Sequence, residues 1–221
     1  KLYLIPTPIG NLEDITLRSL RILKEVDLVL AEDTRVTKKL FNHFDIKTKL
    51  YSFHMNNEHR TVAKWVLELS KGKNIAVVSD AGTPSISDPG FLLVREAIKS
   101  EITIDCLPGP TAFIPALVNS GISCERFIFE GFLPTKKGRK KKLESLSVEK
   151  RTIILYESPH KIRKTLKQIS DYFGEDRLIS VSREISKVYE ETIRGNTKYV
   201  FQYFERTKPR GEFVIIISGL R

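Results

Sequence analysis

The sequence predicts an α/β protein built as two α/β lobes, with a parallel sheet in the N-terminal lobe and a mixed sheet in the C-terminal lobe. Three observations predict it. Short apolar runs recur through the first half, each ending in a loop of turn residues, as buried parallel strands do. Stretches with apolar residues at helical spacing alternate with those runs over short connections. From residue 178 onward two runs follow each other with no helix between them, which two parallel neighbours do not permit.

Residues 2–5 form the first apolar run and lead into Pro6-Thr-Pro-Ile-Gly-Asn11. Leu17, Leu20 and Leu23 begin a helical stripe, residues 28–31 read as a short buried strand, and Val36, Leu40 and Phe44 recur at helical spacing. Residues 49–53 alternate as a strand does. Val62, Trp65, Val66 and Leu69 mark a helix that Gly72 stops. Residues 75–78 are the next strand, and a helix starts at Phe91 and carries Leu92, Val94, Ala97 and Ile98. Residues 102–107 run into Pro108-Gly-Pro110, where Gly109 suits a sharp turn and Pro110 a first helical turn. A helix over 111–119 closes at Gly121, where the character of the chain changes, so the lobes are read as residues 1–112 and 113–221. Strands at 127–130 and 152–156 flank a basic segment, and Pro159 opens a helix with Ile162, Leu166, Ile169 and Phe173 on one face. Strands at 178–183 and 190–194, a helix at 197–204 and a strand at 213–217 complete the chain.

Composition narrows the function classes. The 221 residues hold 37 Lys and Arg against 27 Asp and Glu, a net charge of +10 and a pI near 9.5. Such a balance favours a polyanionic partner. The apolar stretch at 213–217 is far too short to span a membrane, and no signal-peptide pattern precedes the first strand. A cytoplasmic protein with no membrane contact is expected. Cys106 and Cys124 lack metal-type spacing and read as buried free thiols in a reducing compartment. His43, His54, His59 and His160 are scattered, so no metal is expected.

The segment Val77-Val-Ser-Asp-Ala-Gly-Thr-Pro-Ser-Ile-Ser-Asp-Pro-Gly90 is the most informative. Ligands of open α/β sheets bind outside the carboxyl ends of strands. Gly82 and Gly90 let backbone come close to a ligand, and Asp80 and Asp88 offer acceptors. One such loop could be an ordinary strand-to-helix connection; three, after residues 5, 78 and 107, describe a lined cleft. Neither Gly-x-Gly-x-x-Gly nor a P-loop pattern occurs, which removes the main support for dinucleotide or triphosphate binding.

Taken in order, these motifs resemble the tetrapyrrole methylase superfamily of S-adenosylmethionine-dependent enzymes, and within it the ribosomal RNA small-subunit methyltransferase I family. The resemblance rests on Pro6-Thr-Pro-Ile-Gly-Asn-Leu12 with Asp14-Ile-Thr16, on Ala31-Glu-Asp-Thr-Arg35, and on Val78-Ser-Asp-Ala-Gly-Thr-Pro84 with Asp88-Pro-Gly90. It continues through Pro108-Gly-Pro110, Glu130-Gly-Phe-Leu-Pro134 and Tyr156-Glu-Ser-Pro-His160. It implies a tetrapyrrole methylase-like fold, S-adenosylmethionine in the cleft between lobes, a homodimer, and 2′-O-methylation of a cytidine in 16S rRNA near the decoding centre. Cofactor contacts are expected at Pro8 and Gly10, at Asp80, Ala81, Gly82, Thr83, Asp88 and Gly90, at Pro108, Gly109, Thr111 and Ala112, and at Gly131, Phe132 and Leu133. Some family members extend past the last strand with a further basic segment, whereas this chain stops at Gly219-Leu-Arg221, which leaves RNA to the core or a partner.

A ribose hydroxyl is a weak nucleophile, so a base or hydrogen-bond acceptor is expected beside it. Asp33 and Glu157 each follow an apolar run, one per lobe, and are the expected catalytic carboxylates, with Arg35 on a flanking phosphate. Ser158 is expected to cap the helix that Pro159 opens. Lys136, Lys137, Arg139, Lys140, Lys141 and Lys142 form a cationic run suited to RNA phosphates, and its bland reading is a mobile solvated loop. Phe132 and Tyr51 are candidates for base stacking, while Phe53 reads as core. Two other functions fit less well: methylation of a tetrapyrrole or a protein side chain, and ribosome-associated RNA binding without catalysis.

Overall fold

The computed structural model describes residues 1–220 and divides into two compact units, residues 1–111 and the chain from Ala112 onward. In the first unit five parallel strands take the order β3-β2-β4-β1-β5: β1 (Leu2–Leu4), β2 (Leu28–Ala31), β3 (Leu50–Ser52), β4 (Ile75–Val78) and β5 (Ile104–Cys106). Helices α1 (Leu17–Glu25), α2 (Thr34–His43), α3 (Glu58–Ser70) and α4 (Phe91–Lys99) connect them. The central strands are apolar on both faces. Val29, Ala31, Ala76 and Val78 pack with Ile22, Leu23, Leu40 and Phe41 of α1 and α2. Their neighbours Leu28, Leu30, Ile75 and Val77 pack with Trp65, Leu69, Leu93 and Ala97 of α3 and α4. The alternation of strand side chains therefore builds two cores. Because the strands are parallel, all five carboxyl ends lie along one edge.

In the second unit the order is β6-β7-β10-β8-β9, from β6 (Phe127–Phe132), β7 (Thr152–Glu157), β8 (Leu178–Arg183), β9 (Glu191–Asn196) and β10 (Phe213–Ile217). Only β6 and β7 pair in parallel; the remaining pairs are antiparallel, so the sheet is mixed. Helices α6 (Arg139–Ser147), α7 (Ile162–Phe173) and α8 (Thr197–Arg206) cover one face through Leu143, Ile162, Leu166, Ile169, Val200 and Phe204. Helix α5 (Phe113–Asn119) sits against Ile154, Val214 and Ile216 on the other.

Three expectations need correction. The basic run is only partly a loop: Lys136 and Lys137 lie in a bend and turn, but α6 starts at Arg139 and buries Leu143 and Leu146, three residues apart on one helical face. Helix α7 begins at Ile162 rather than Pro159, and the Ser158 carbonyl, not its hydroxyl, accepts the N–H groups of Lys161 and Ile162 at 3.1 Å. The cysteines are free but exposed, because Cys106 ends an edge strand and Cys124 lies in the connection between α5 and β6. Among the described residues no helix is long and apolar enough to cross a membrane, and no group of three or more His, Cys, Asp or Glu is placed to hold a metal.

Candidate functional site

Three strand-end loops of the first unit are tied together by backbone and hydroxyl bonds. Thr7 and Gly82 exchange both backbone hydrogen bonds at 2.9 Å, joining the loop after β1 to the loop after β4. Thr83 Oγ1 donates to the Pro110 carbonyl at 3.0 Å and lies 2.7 Å from Thr111 Oγ1, which joins the loop after β4 to the loop after β5. Gly109 packs on Pro6 so closely that an added Cβ would stand 2.7 Å from the proline Cβ. Strands β1 and β4 are neighbours, yet their following helices cover opposite faces of the sheet, the arrangement that opens a ligand crevice at strand ends.

The loop after β4 holds unusual backbone. Gly82, Ser85 and Ser87 take φ of +80°, +71° and +66°, and Gly90 takes +135°. For serine such angles cost about 1–3 kcal/mol each and cluster at functional sites. A Cβ at Gly90 would collide with the Ser85 hydroxyl, which is itself buried without a partner. Glu58, 7% exposed, accepts from the Gly90 and Leu92 N–H groups at 3.0 Å and so starts α4.

Carboxylates gather at the ends of β2 and β4. The Asp33 N–H donates to Asp80 Oδ1 at 3.0 Å, and the Asp80 N–H donates to Glu32 Oε2 at 3.3 Å, so the two strand ends clasp each other. Asp33 caps α2 by accepting the Arg35 N–H at 2.8 Å, and it also takes Nε and Nη2 of Arg35, the latter at 2.6 Å. Those bonds hold the Asp33 carboxyl down at about 2. Burial instead pushes the half-buried Glu32 upward. Asp80 is more open to solvent, and the protein around its carboxyl also raises it. Glu32 and Asp80 are thus both shifted opposite to Asp33, and the Glu32 Oε1 makes no hydrogen bond among the described residues. Asp33, the carboxylate expected from sequence, is the member of this group whose oxygens are taken up by Arg35. His54, past the end of β3, lies near enough to act on the Glu32 charge and has a buried Nδ1 without a partner.

In the second unit, Glu157 does not offer a free carboxylate. It is 5% exposed and accepts from Thr165 Oγ1 at 2.6 Å and from the Ser158 N–H at 2.8 Å. Arg139 does not reach solvent either: 6% exposed, it donates to Gln168, the Pro134 carbonyl and Thr165, with Glu157 4.0 Å away. A buried guanidinium needs such partners, so Arg139 leaves the set of RNA contacts and becomes the anchor of α6. Lys142 pairs with Glu130 at 2.8 Å, while Lys136, Lys137, Lys140 and Lys141 remain exposed. Gly131 takes φ +68° where the β6–β7 register shifts, and that bulge leaves Phe132 57% exposed and Leu133 buried. Phe132 leans on Tyr156 and Tyr51 on Trp65, while Phe53 is core. Charge is uneven: residues 112–221 hold 22 Lys and Arg against 13 Asp and Glu, whereas residues 1–111 are nearly balanced.

Residues 1–200 match the family of Tetrapyrrole (Corrin/Porphyrin) Methylases. A Thermotoga maritima protein named ribosomal RNA small subunit methyltransferase I is 46% identical over 99% of this chain and 98% of its own length. Proteins of the same name from Synechocystis sp. and Bacillus subtilis are 47% identical over 99% of this chain and 78% and 75% of theirs. Among solved structures, a cobalt precorrin-4 methyltransferase covers 98% of this chain and 94% of its own with a TM-score of 0.73 at 20% identity. The uroporphyrin-III-C-methyltransferase of Thermus thermophilus covers 97% and 93% with a TM-score of 0.68 at 16% identity. At those identities the likeness is one of fold.

Proposed function

The chain belongs to the tetrapyrrole (corrin/porphyrin) methylase family, within the ribosomal RNA small subunit methyltransferase I proteins, and we propose that it methylates small-subunit ribosomal RNA from S-adenosylmethionine. The acceptor in this proposal is a cytidine 2′-hydroxyl of 16S rRNA near the decoding centre. Support comes first from identity of 46–47% over 99% of the chain with relatives of that name. A homodimer in the cytoplasm belongs to the same proposal.

The methyl donor suits the strand-end loops of the first unit. Asp80 keeps one carboxylate oxygen without a hydrogen bond, and the buried Ser85 hydroxyl lacks a partner among the described residues. Pro8, Gly10, residues 80–83, Asp88, Gly90, Pro108, Gly109 and Thr111 would hold the donor from this unit. S-adenosylmethionine supplies a methyl group on a sulfonium, open to in-line displacement. The chain's task is to align the acceptor oxygen and keep water out. Glu32 takes the hydroxyl proton on Oε1. Asp33 holds the Arg35 fork, whose Nη1 contacts a flanking phosphate. Lys136, Lys137, Lys140 and Lys141 hold other phosphates of the RNA.

The test is transfer of labelled methyl to small ribosomal subunits, followed by alkaline hydrolysis of the RNA. Expected is label at one cytidine whose 3′ linkage resists alkali, since cleavage needs a free 2′-hydroxyl. Label on a base, or none on the RNA, refutes the proposal.

A further inference from the structure

An open groove of about 500 Å³ runs along α2 toward the start of β3. Its floor is apolar, from Phe41, Ile46 and Leu50, the first two buried. Its rim is cationic and polar: Arg35, Lys38 and Asn42 from the helix, and Lys47 from the segment entering β3. Arg35, Lys38 and Asn42 stand three and four residues apart, so they share one helical face and cover about 10 Å of its axis. No carboxylate lines the groove among the described residues. Lys38 has no ion-pair partner there. Lys47 reaches Asp45 at 3.4 Å, but both side chains are more than four-fifths exposed, so water and salt loosen the pair. Arg35 spends Nε and Nη2 on Asp33 and keeps Nη1 for an outside acceptor.

We propose that this groove binds a short single-stranded RNA segment flanking the acceptor nucleotide, with phosphates on Lys38, Lys47 and Arg35 Nη1. The proposal rests on ribosomal RNA being the substrate. A single strand presents phosphates on one side and unstacked base faces on the other, which matches a cationic rim above an apolar floor with the Asn42 amide within the groove for base or sugar edges. The groove begins at Arg35, two residues past Asp33, so a strand held there reaches the carboxylates at the ends of β2 and β4.

The test is a Lys38→Ala/Lys47→Ala double variant, with affinity for protein-free 16S rRNA and for small subunits measured over a salt series. Wild-type methylation is assayed in parallel, and calorimetry with S-adenosylmethionine reports that the variant is folded. Each lost phosphate contact on a single strand lowers the log–log salt slope by about 0.7, so the double variant is expected to lose about 1.4 for both probes. A variant that matches wild type in affinity and slope, while wild type methylates subunits, overturns the groove assignment alone. A variant that loses affinity for subunits but not for protein-free RNA also overturns it, because the groove then docks a ribosomal protein. A wild type that neither binds nor methylates the RNA overturns the substrate assignment, and the groove with it.

Discussion

Replacing Glu32 by Gln keeps an oxygen for the Asp80 N–H and removes the charge and basicity of the side chain. If Glu32 takes the proton of the acceptor hydroxyl, the loss is that of a general base, about 10²–10⁴-fold in rate. The pH profile adds a sharper signature. Burial raises the Glu32 carboxyl above its ordinary 4.5, whereas Arg35 holds Asp33 at about 2. Below the Glu32 pKa the base is protonated, so the wild-type rate should rise tenfold per pH unit there and level off above it. Asp33 stays ionised throughout that range and adds no inflection. In Glu32→Gln the limb should vanish along with the rate.

Single-turnover methylation of small subunits at saturating donor and RNA, with the pH series begun below the ordinary 4.5 of a glutamate, reads both effects. The stability control has a definite sign. A carboxyl whose folded pKa is raised favours folding while protonated and loses that contribution as pH rises through the folded pKa. At neutral pH, Glu32→Gln should therefore melt no lower than wild type. A rate within about threefold of wild type with the acid limb intact would refute the assignment, being well short of a base's usual contribution. If Asp33→Asn instead loses 10²-fold or more under saturating conditions, the base is Asp33.

Other perturbations separate site from scaffold. Gly109→Ala forces Pro6 away from the loop after β5 and should weaken S-adenosylmethionine at least tenfold by calorimetry with the melting transition retained; unchanged affinity would place the donor elsewhere. Glu157→Gln should act on stability, by about 1–3 kcal/mol, because it disturbs the bonds with Thr165 and Ser158 beside buried Arg139; an unmoved melting curve with lost activity would return it to catalysis. Neutralising Lys136, Lys137 and Lys140 together should flatten the salt dependence of RNA binding by about 2 in log–log slope, and an unchanged slope would make these lysines bystanders. Arg139→Ala should instead lower the melting temperature, since it strips Gln168 and Thr165 of their partner.

Much of the fold is legible because its strands are buried on both faces. Val29 and Leu30 point into different cores, so β2 reads as an unbroken apolar run between turn residues. Helix α6 escaped for the opposite reason. Leu143 and Leu146 are its only buried apolar residues within a lysine-rich stretch, and its third inward side chain is Arg139. A charge run states how many cations it has, not that one of them is satisfied by Gln168 from another helix. The site shows the same limit. Sequence spacing puts both Glu32 and Asp33 just past a strand end. The choice between them turns on where Arg35 folds back, and a pattern of period 2 says nothing beyond the last strand residue.

The loop after β4 shows what the rigid sheet makes possible. Within nine residues it keeps two serines and two glycines at positive φ and one buried hydroxyl without a partner. Left to itself such a segment would relax, at a gain of about 1–3 kcal/mol for each strained non-glycine residue. It is held by its two ends. Gly82 is fixed to Thr7, and Gly90 is fixed by the buried Glu58, a residue of a helix packed against α4. Both anchors belong to structure that the apolar cores of β1, β4, α3 and α4 already determine. The loop is therefore held by its two anchors, and a donor bound there as proposed would not spend binding energy on ordering it. This explains why polar and strained positions cluster at the strand ends while β2 and β4 beneath them are uninterrupted Val, Ile, Leu and Ala: the conformational cost of the loop is offset by packing in the cores below it.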